Sequence, residues 1–182
     1  MHTDNYFKKY IGKCKKCWNS SSSYDEIKDF TYCTCGGHKW DLRFLELSRF
    51  ISSWSKDSST KCGAVIVENN TKIVSIGYNG FAEGVIDNVE RYENRDYKIN
   101  AIAHAEINAI LFSGRSVKNC TLYTYPFQAC LQCSTYVINA GITRCVAPFM
   151  PEDKKERWKD NMDKAAIQFK EANVELEFVD FK

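Results

Sequence analysis

The stretch that decides the fold is CTLYTYPFQACLQCSTYVINAGITRCVA, residues 120–147. Its apolar run from Cys120 to Tyr125 predicts a strand, and Cys130 to Ala140 has the periodicity of a helix. Gly141 follows as the expected C-terminal cap of that helix, and Ile142 to Ala147 predicts the next strand. Because a helix joins two successive strands, the stretch indicates a layered α/β fold with a partly parallel sheet.

The same alternation of helices and strands extends in both directions from this stretch. Helices are predicted at Trp40–Ser55, Val89–Ile99, Ala103–Phe112 and Trp158–Ala172, and strands at Gly63–Glu68, Lys72–Gly77 and Val174–Val179. We therefore expect one α/β domain over residues 40–182. The first 39 residues contain four cysteines and few aliphatic side chains, which predicts a separate small module there.

The composition narrows the class of protein. Hydrophobic residues make up 44% of the 182 residues, which is enough for a buried core, and the net charge of +2 does not indicate a strongly basic nucleic-acid binder. The sequence has nine cysteines, a polar start and no apolar run of about 20 residues. We therefore expect a cytoplasmic protein with reduced thiols and no membrane contact, in which closely spaced cysteines more often bind metal than form disulfides.

Two short motifs carry the chemistry that we predict. His104-Ala105-Glu106 stands at the start of one helix, and Cys130-Leu131-Gln132-Cys133 follows a strand at the start of another. One His and two Cys form the three-ligand set of a catalytic zinc, which keeps its fourth position open for water. Helix N-termini favour thiolates. The alternative is a purely structural zinc, or thiols that bind no metal.

Glu106 has a different predicted role, because it stands two residues after His104 and is not expected to bind the metal. A carboxylate beside a zinc-activated water can take a proton from the water and pass it to the substrate. We therefore predict that His104, Cys130 and Cys133 hold a catalytic zinc and that Glu106 is the proton shuttle.

At these motifs the chain resembles the deoxycytidylate deaminase branch of the cytidine deaminase superfamily, whose signature is His-x-Glu followed by Pro-Cys-x-x-Cys. The resemblance extends to SKDSSTKCGAVIV (55–67), GYNGFAEG (77–84), DNVERYENRDYK (87–98) and HAEINAIL (104–111). It covers about residues 40–180. One position departs from the pattern, since Ala129 replaces the proline before the first zinc cysteine. Alanine can adopt the backbone conformation that proline favours at a helix start, so we expect both cysteine ligands to be retained.

The resemblance implies both a fold and an activity. The fold is a three-layer α/β/α arrangement around a mixed five-stranded sheet, and the activity is hydrolysis of dCMP to dUMP and ammonia by a homo-oligomer, either a dimer or a hexamer. It also implies regulation by dCTP and dTTP at a site that includes Gly77, Tyr78, Asn79 and Gly80, where the regulatory nucleotide would carry Mg²⁺. Two alternatives stay open: an editing deaminase that acts on RNA or DNA, and a catalytically silent binding protein.

Several residues are candidates for substrate contact. The resemblance places Asn79 at the sugar and Ala105 at the substrate, although Asn79 could instead be a left-handed turn residue. Arg91, Arg95 and Lys98 have the spacing of one helix face, which could bind the phosphate or could be a solvated charged face. Lys56 and Lys61 are further phosphate or allosteric candidates. Tyr125 and Phe127 precede the zinc cysteines and could wall the base pocket or serve as core aromatics.

The N-terminal module is predicted to hold a second, structural zinc. Cys14 and Cys17 are followed after about fifteen residues by Cys33 and Cys35, a spacing that is typical of a zinc ribbon. His38 could replace Cys35 as a ligand. The module would serve folding and subunit packing or, through its lysines, contact nucleic acid. The remaining cysteines, Cys62, Cys120 and Cys145, are predicted to be core residues.

Overall fold

The computed structural model describes residues 39–181, in which a mixed sheet lies between helices. The helices are α1 (Lys39–Ser52), α2 (Val89–Glu93), α3 (Arg95–Ala101), α4 (Ala105–Phe112), α5 (Leu131–Asn139) and α6 (Glu152–Glu171), and the strands are β1 (Gly63–Glu68), β2 (Lys72–Tyr78), β3 (Thr121–Tyr125), β4 (Arg144–Pro148) and β5 (Glu175–Val179). Within this range, no helix has the length and apolar character needed to cross a membrane. The predicted ligands of the N-terminal module lie outside the described residues: Cys14, Cys17, Cys33, Cys35 and His38.

The sheet has the strand order β2-β1-β3-β4-β5. Strand β1 is antiparallel to β2 and to β3, whereas β3, β4 and β5 are parallel. Gly63 pairs with both Tyr78 and Tyr125, so β2 and β3 end at the same edge of the sheet. The mixed five-stranded sheet is thereby confirmed.

Alternate side chains of the central strands build a core on each face of the sheet. On one face, Ile66 and Leu122 pack with α4, α5 and α6. On the other face, Val65 and Tyr123 pack with Phe44 and Leu45 of α1. Helices therefore cover both faces, which confirms the three-layer arrangement.

The charged segment after residue 88 differs from the prediction. The prediction of a single helix over Val89–Ile99 is wrong, because Asn94 has an extended backbone (φ −71°, ψ 94°) that ends α2. The side chain of Asn94 then accepts a hydrogen bond from the backbone N–H of Tyr97 and caps α3. Asparagine favours such caps over helix interiors because its amide competes for backbone groups.

Two predicted helix starts also shift. The helix that was expected from Ala103 begins at Ala105, because Ala103 pairs through its backbone with Gly80 and His104 becomes the extended N-cap residue. The last helix begins at Glu152 rather than Trp158, directly after Pro151, so the loop after β4 is shorter than the sequence indicated.

Gly77 allows α4 to lie unusually close to β2. A Cβ at this position would stand 2.3 Å from the carbonyl oxygen of Ala105 and 2.4 Å from the backbone nitrogen of Ala109. We expect Gly77→Ala to lower the free energy of unfolding by about 1–3 kcal/mol, because the helix must move away from the strand. Urea denaturation measures this change.

The matched control for this prediction is Gly80→Ala. A Cβ at Gly80 would meet its nearest side-chain atoms at ordinary distances of 3.8 and 4.0 Å, so we expect a change below about 0.5 kcal/mol. Equal losses of stability in the two variants would contradict the close-approach explanation.

Candidate metal centre

Three potential metal ligands meet at the sheet edge where β2 and β3 end. Cys130 is the N-cap residue of α5, and Cys133 lies in the first turn of that helix. His104 is the N-cap residue of α4, and the backbone pairing of Ala103 with Gly80 fixes it just beyond the end of β2. Since the two strands end at one edge, the two helices begin side by side there.

The distances between the three ligand atoms suit a zinc ion. His104 Nδ1 lies 3.2 Å from Cys133 Sγ and 3.4 Å from Cys130 Sγ, and one ligand atom from each residue lies within 4.8 Å of the others. Zinc–ligand bonds of about 2.0–2.3 Å in a tetrahedron place neighbouring ligand atoms about 3.5 Å apart. The nitrogen and sulfur donors and their spacing therefore fit a zinc ion that keeps one position open.

The pKa values of the three ligand residues shift in different directions, because the residues share hydrogen bonds. The hydrogen bond with the Cys133 thiol, followed by the one with His104, lowers the pKa of Cys130 to about 4. The same bond between the cysteines raises the pKa of Cys133, and the Cys130 partner raises the pKa of His104 to about 9. A cation that binds here replaces protons, so its affinity should fall with decreasing pH.

Glu106 lies beside these ligands in the first turn of α4 and is only 7% exposed. Burial is the main cause that raises the pKa of its carboxyl group; the positive charge of His104 acts in the opposite direction, and Cys130 adds to the increase. A buried carboxyl group with a raised pKa is suited to exchange protons near neutral pH. This is the environment that the predicted proton shuttle requires.

Asn79 fixes the loop before β1 against the end of β2. Its Oδ1 accepts a hydrogen bond from the backbone N–H of Cys62 (2.7 Å), and its Nδ2 donates to the carbonyl oxygen of Thr60 (3.0 Å). The left-handed alternative is wrong, because Asn79 is not among the described residues with positive φ. A sugar contact through the same amide stays a prediction.

The three cations predicted to share one helix face lie on two different helices. The break at Asn94 separates Arg91 from the other two. Lys98 Nζ binds Asp57 Oδ1 at 3.1 Å and Ser59 Oγ at 2.9 Å, so it ties α3 to the loop before β1. Arg91 donates to the carbonyl oxygen of Ile86 at 3.0 Å and lies over the ring of Tyr97. Arg95 is exposed.

The other predicted nucleotide contacts include two lysines in the loop before β1 and Tyr78 at the end of β2. Lys56 pairs with Asp87 at 2.8 Å, and Lys61 is exposed. Tyr78 is partly exposed, with its ring edge-on to Trp54 at 6.0 Å. No contact among the described residues tests the regulatory role of Gly77, Tyr78, Asn79 and Gly80, so it stays a prediction.

The aromatic residues that precede the zinc cysteines differ in their surroundings. Phe127 is buried and packs on Trp158 with ring centroids 5.6 Å apart. Tyr125 is half-buried and lies edge-on to Phe181 at 6.1 Å. Ala105 is buried between the two functional residues of its motif, and Ala129 is buried directly before Cys130.

Sequence reasoning missed two features of this edge. Cys120 and Cys145 are buried core residues, as predicted; Cys62 packs against the same core but is only half-buried. Burial, followed by the charges of Glu106, Asp57 and Cys130, raises the pKa of Cys62, whereas Lys154 lowers it. The sequence could have indicated this position, because Cys62 directly precedes the predicted strand that begins at Gly63. The approach of α6 to the site had no comparable signal in the sequence.

Comparison with known proteins agrees with this geometry. Residues 38–148 match the family model described as the cytidine and deoxycytidylate deaminase zinc-binding region. A protein of Aliivibrio fischeri named as an uncharacterized deaminase in the luxG 3′ region is 38% identical over 138 residues, which cover 76% of this chain and 92% of that protein. Human deoxycytidylate deaminase is 34% identical over 142 residues, covering 75% of this chain and 77% of the human protein.

Among solved structures, the fold resembles the dCMP deaminase of cyanophage S-TIM5, crystallised in complex with dCMP and dUMP. The TM-score is 0.60 at 22% sequence identity, with 76% of this chain and 96% of that chain covered. At this level of identity the likeness concerns the fold.

Proposed function

This chain belongs to the cytidine and deoxycytidylate deaminase family, and on that premise we propose that it hydrolyses dCMP to dUMP and ammonia. The observation that carries the proposal is the cluster of His104, Cys130 and Cys133 with the buried carboxyl group of Glu106 beside it. The 34% identity to human deoxycytidylate deaminase supports the choice of dCMP over other cytosine compounds.

The proposed mechanism assigns a separate task to each residue. His104, Cys130 and Cys133 would hold a zinc ion, which when bound lowers the pKa of water to about 7 and so supplies a nucleophile at neutral pH. Glu106 accepts a proton as water adds to C4 of the cytosine ring, and it delivers that proton to N3. It then carries the second proton to the 4-amino group, which leaves as ammonia when the C4–N bond breaks.

The raised pKa of Glu106 supports this role in both directions of proton transfer. A carboxyl group with its ordinary pKa holds a proton too weakly to pass it on near neutral pH, whereas burial strengthens its hold on the proton. The position of Glu106 is also fixed by its helix. Helix α4 follows directly after the backbone bridge between Gly80 and Ala103, and it packs closely on β2 at Gly77.

A substrate comparison tests the proposal directly. Purified, zinc-loaded protein is incubated with dCMP, CMP, dCTP, cytidine and single-stranded DNA, and released ammonia is measured. We expect the highest kcat/KM for dCMP. Preferred turnover of single-stranded DNA would favour an editing deaminase instead, and no ammonia from any of the five would contradict the enzymatic function.

Further parts of the proposal come from the sequence alone. We expect a second zinc ion at Cys14, Cys17, Cys33 and Cys35, a homo-oligomer, a cytoplasmic location and control by dCTP and dTTP with Mg²⁺. Elemental analysis should give two zinc ions per chain, and light scattering gives the mass of the assembly. A single zinc ion per chain in the unmodified protein, retained after Ser replaces all four N-terminal cysteines, would remove the second site.

A further inference from the structure

Lys98 and Asp57 form a largely buried ion pair between α3 and the loop before β1. Lys98 Nζ lies 3.1 Å from Asp57 Oδ1, and the two side chains are only 12% and 8% exposed. The same carboxylate oxygen accepts hydrogen bonds from the backbone N–H groups of Ser59 (2.7 Å) and Thr60 (3.3 Å). Removal of one partner from such a buried pair leaves the other charge uncompensated. The pair therefore holds the loop at residues 55–62 firmly against α3.

The same loop is bound from its other side by Asn79, which is 6% exposed. Besides the two hydrogen bonds of its amide with Thr60 and Cys62, the backbone N–H of Asn79 donates to the carbonyl oxygen of Cys62 at 3.2 Å. The carbonyl oxygen of Asn79 accepts a hydrogen bond from the Ser55 hydroxyl group at 2.9 Å. All four polar groups of Asn79 thus bond to the loop, so the position of this residue depends on the conformation of the loop.

Gly80, the residue after Asn79, connects this arrangement to the metal centre. Its backbone N–H donates to the carbonyl oxygen of Ala103 at 3.1 Å, and the N–H of Ala103 donates back to Gly80 at 2.9 Å. Ala103 directly precedes His104, whose Nδ1 lies beside the two cysteine sulfur atoms. The bridge therefore links the end of β2 to the first metal ligand.

Together these contacts form a closed path, which we call the contact ring. It runs from Lys98 along the chain to Ala103, across the bridge to Gly80 and Asn79, and through the loop at residues 55–62 back to Asp57. Because the path is closed, the segment before His104 cannot move relative to Asn79 unless one of these contacts breaks. The ion pair is the contact that joins the two ends of the ring.

We propose that Lys98 and Asp57 are positioning residues of the deaminase site, whose ion pair holds His104 and Asn79 in the geometry that the reaction needs. This inference rests on the proposed function, because it concerns the geometry of the same site. A displacement of about 1 Å in a catalytic site can lower the rate about 10²-fold. Lys98 would thus act through Asp57 and the loop, and not as a ligand of the substrate phosphate.

Kinetics of the zinc-loaded full chain provide the first test. Lys98→Met and Asp57→Asn each remove one charge of the pair, and each should lower kcat for dCMP about tenfold or more at a temperature well below melting. The Kd of dUMP, measured by calorimetry, should change less than about threefold. The double variant should be no slower than the slower single variant, because the second substitution has no intact pair left to break.

The matched control is Arg115→Met. Arg115 also forms a long-range ion pair, with Glu68 at 2.7 Å and 47 residues away in the sequence. This pair is more exposed, at 43% and 30%, and it lies at the opposite end of β1 from the contact ring. Arg115→Met should therefore keep nearly the full kcat for dCMP.

Hydrogen exchange tests the contact ring without any turnover. The backbone N–H groups of Cys62, Gly80 and Ala103 donate hydrogen bonds within the ring. In Lys98→Met these three groups should exchange about tenfold faster or more, because local opening becomes easier, while those of the central strand β3 should be unaffected. Lys98→Arg keeps the positive charge and should restore most of the protection and of kcat.

The outcomes separate this inference from the proposed function. Unchanged kcat and unchanged exchange in Lys98→Met, or equally faster exchange throughout the sheet, would overturn the positioning role. Weaker dUMP binding by Lys98→Met, but not by Asp57→Asn, would also overturn it and identify Lys98 as a phosphate ligand. In each case, normal turnover of dCMP by the unmodified protein leaves the deaminase proposal intact. Faster exchange confined to the contact ring, in a protein that does not turn over dCMP, would support the ring and contradict the deaminase proposal.

Discussion

Replacing Glu106 by Gln is expected to lower kcat for dCMP by about 10³- to 10⁴-fold. Gln has nearly the same shape and fits the same buried position in α4, but it cannot accept a proton from water or return one to the ring. Zinc content and the affinity for dUMP should stay close to those of the unmodified protein. Burial disfavours a carboxylate and not a neutral amide, so the melting temperature should be unchanged or higher.

A matched substitution separates proton transfer from the loss of a negative charge. Glu83 lies in the exposed loop after β2, and Glu83→Gln should retain nearly the full kcat. Steady-state kinetics, together with elemental analysis of the same preparations, provide the measurement. The loss of a general acid–base should cost far more than tenfold in kcat. If Glu106→Gln keeps more than about a tenth of kcat, another group moves the protons.

The metal centre could be predicted from the sequence because its parts are local. Cys130 and Cys133 are three residues apart at a helix start. The sequence indicates that start because an apolar strand segment ends shortly before it. His104 lies only two residues from Glu106, so one helix terminus places both. The single long-range condition, that β2 and β3 end at one edge, follows from the antiparallel pairing of β1 with both strands.

The predicted phosphate-binding face depended on a helix periodicity that the structure interrupts. The i, i+4, i+7 spacing of Arg91, Arg95 and Lys98 has meaning only within one unbroken helix, and the cap at Asn94 removes that condition. Lys98 then pairs with Asp57, which is 41 residues away in the sequence. No local periodicity encodes a contact of that separation.

Gly77 and Trp158 show a second limit of sequence reasoning. The need for glycine at position 77 arises from the backbone of α4, which approaches β2 from a distant part of the chain. The buried indole N–H of Trp158, which has no partner within residues 39–181, is recognisable only after α6 has packed on Phe127. Both features depend on how elements pack together, whereas the metal ligands depend mainly on where single elements begin.

Replacing Cys133 by Ser is expected to remove one zinc ion per chain and to lower the activity toward dCMP at least about 10³-fold. A serine hydroxyl stays protonated at neutral pH and is a poor zinc ligand, so two strong protein ligands would remain where a catalytic zinc needs three. Because zinc binds the folded state, its loss should also lower the free energy of unfolding by about 2.7 kcal/mol at free zinc 100 times the Kd.

Cys145→Ala provides the control that separates metal loss from the loss of a buried thiol. Cys145 is a core residue of β4 outside the ligand cluster, so this variant should lose some stability while it keeps its full zinc content. Added zinc should raise the melting temperature of the metal-stripped unmodified protein and of Cys145→Ala, but much less that of Cys133→Ser. Full zinc content and activity in Cys133→Ser would exclude Cys133 as a ligand, and with it the three-ligand centre on which the proposed chemistry depends.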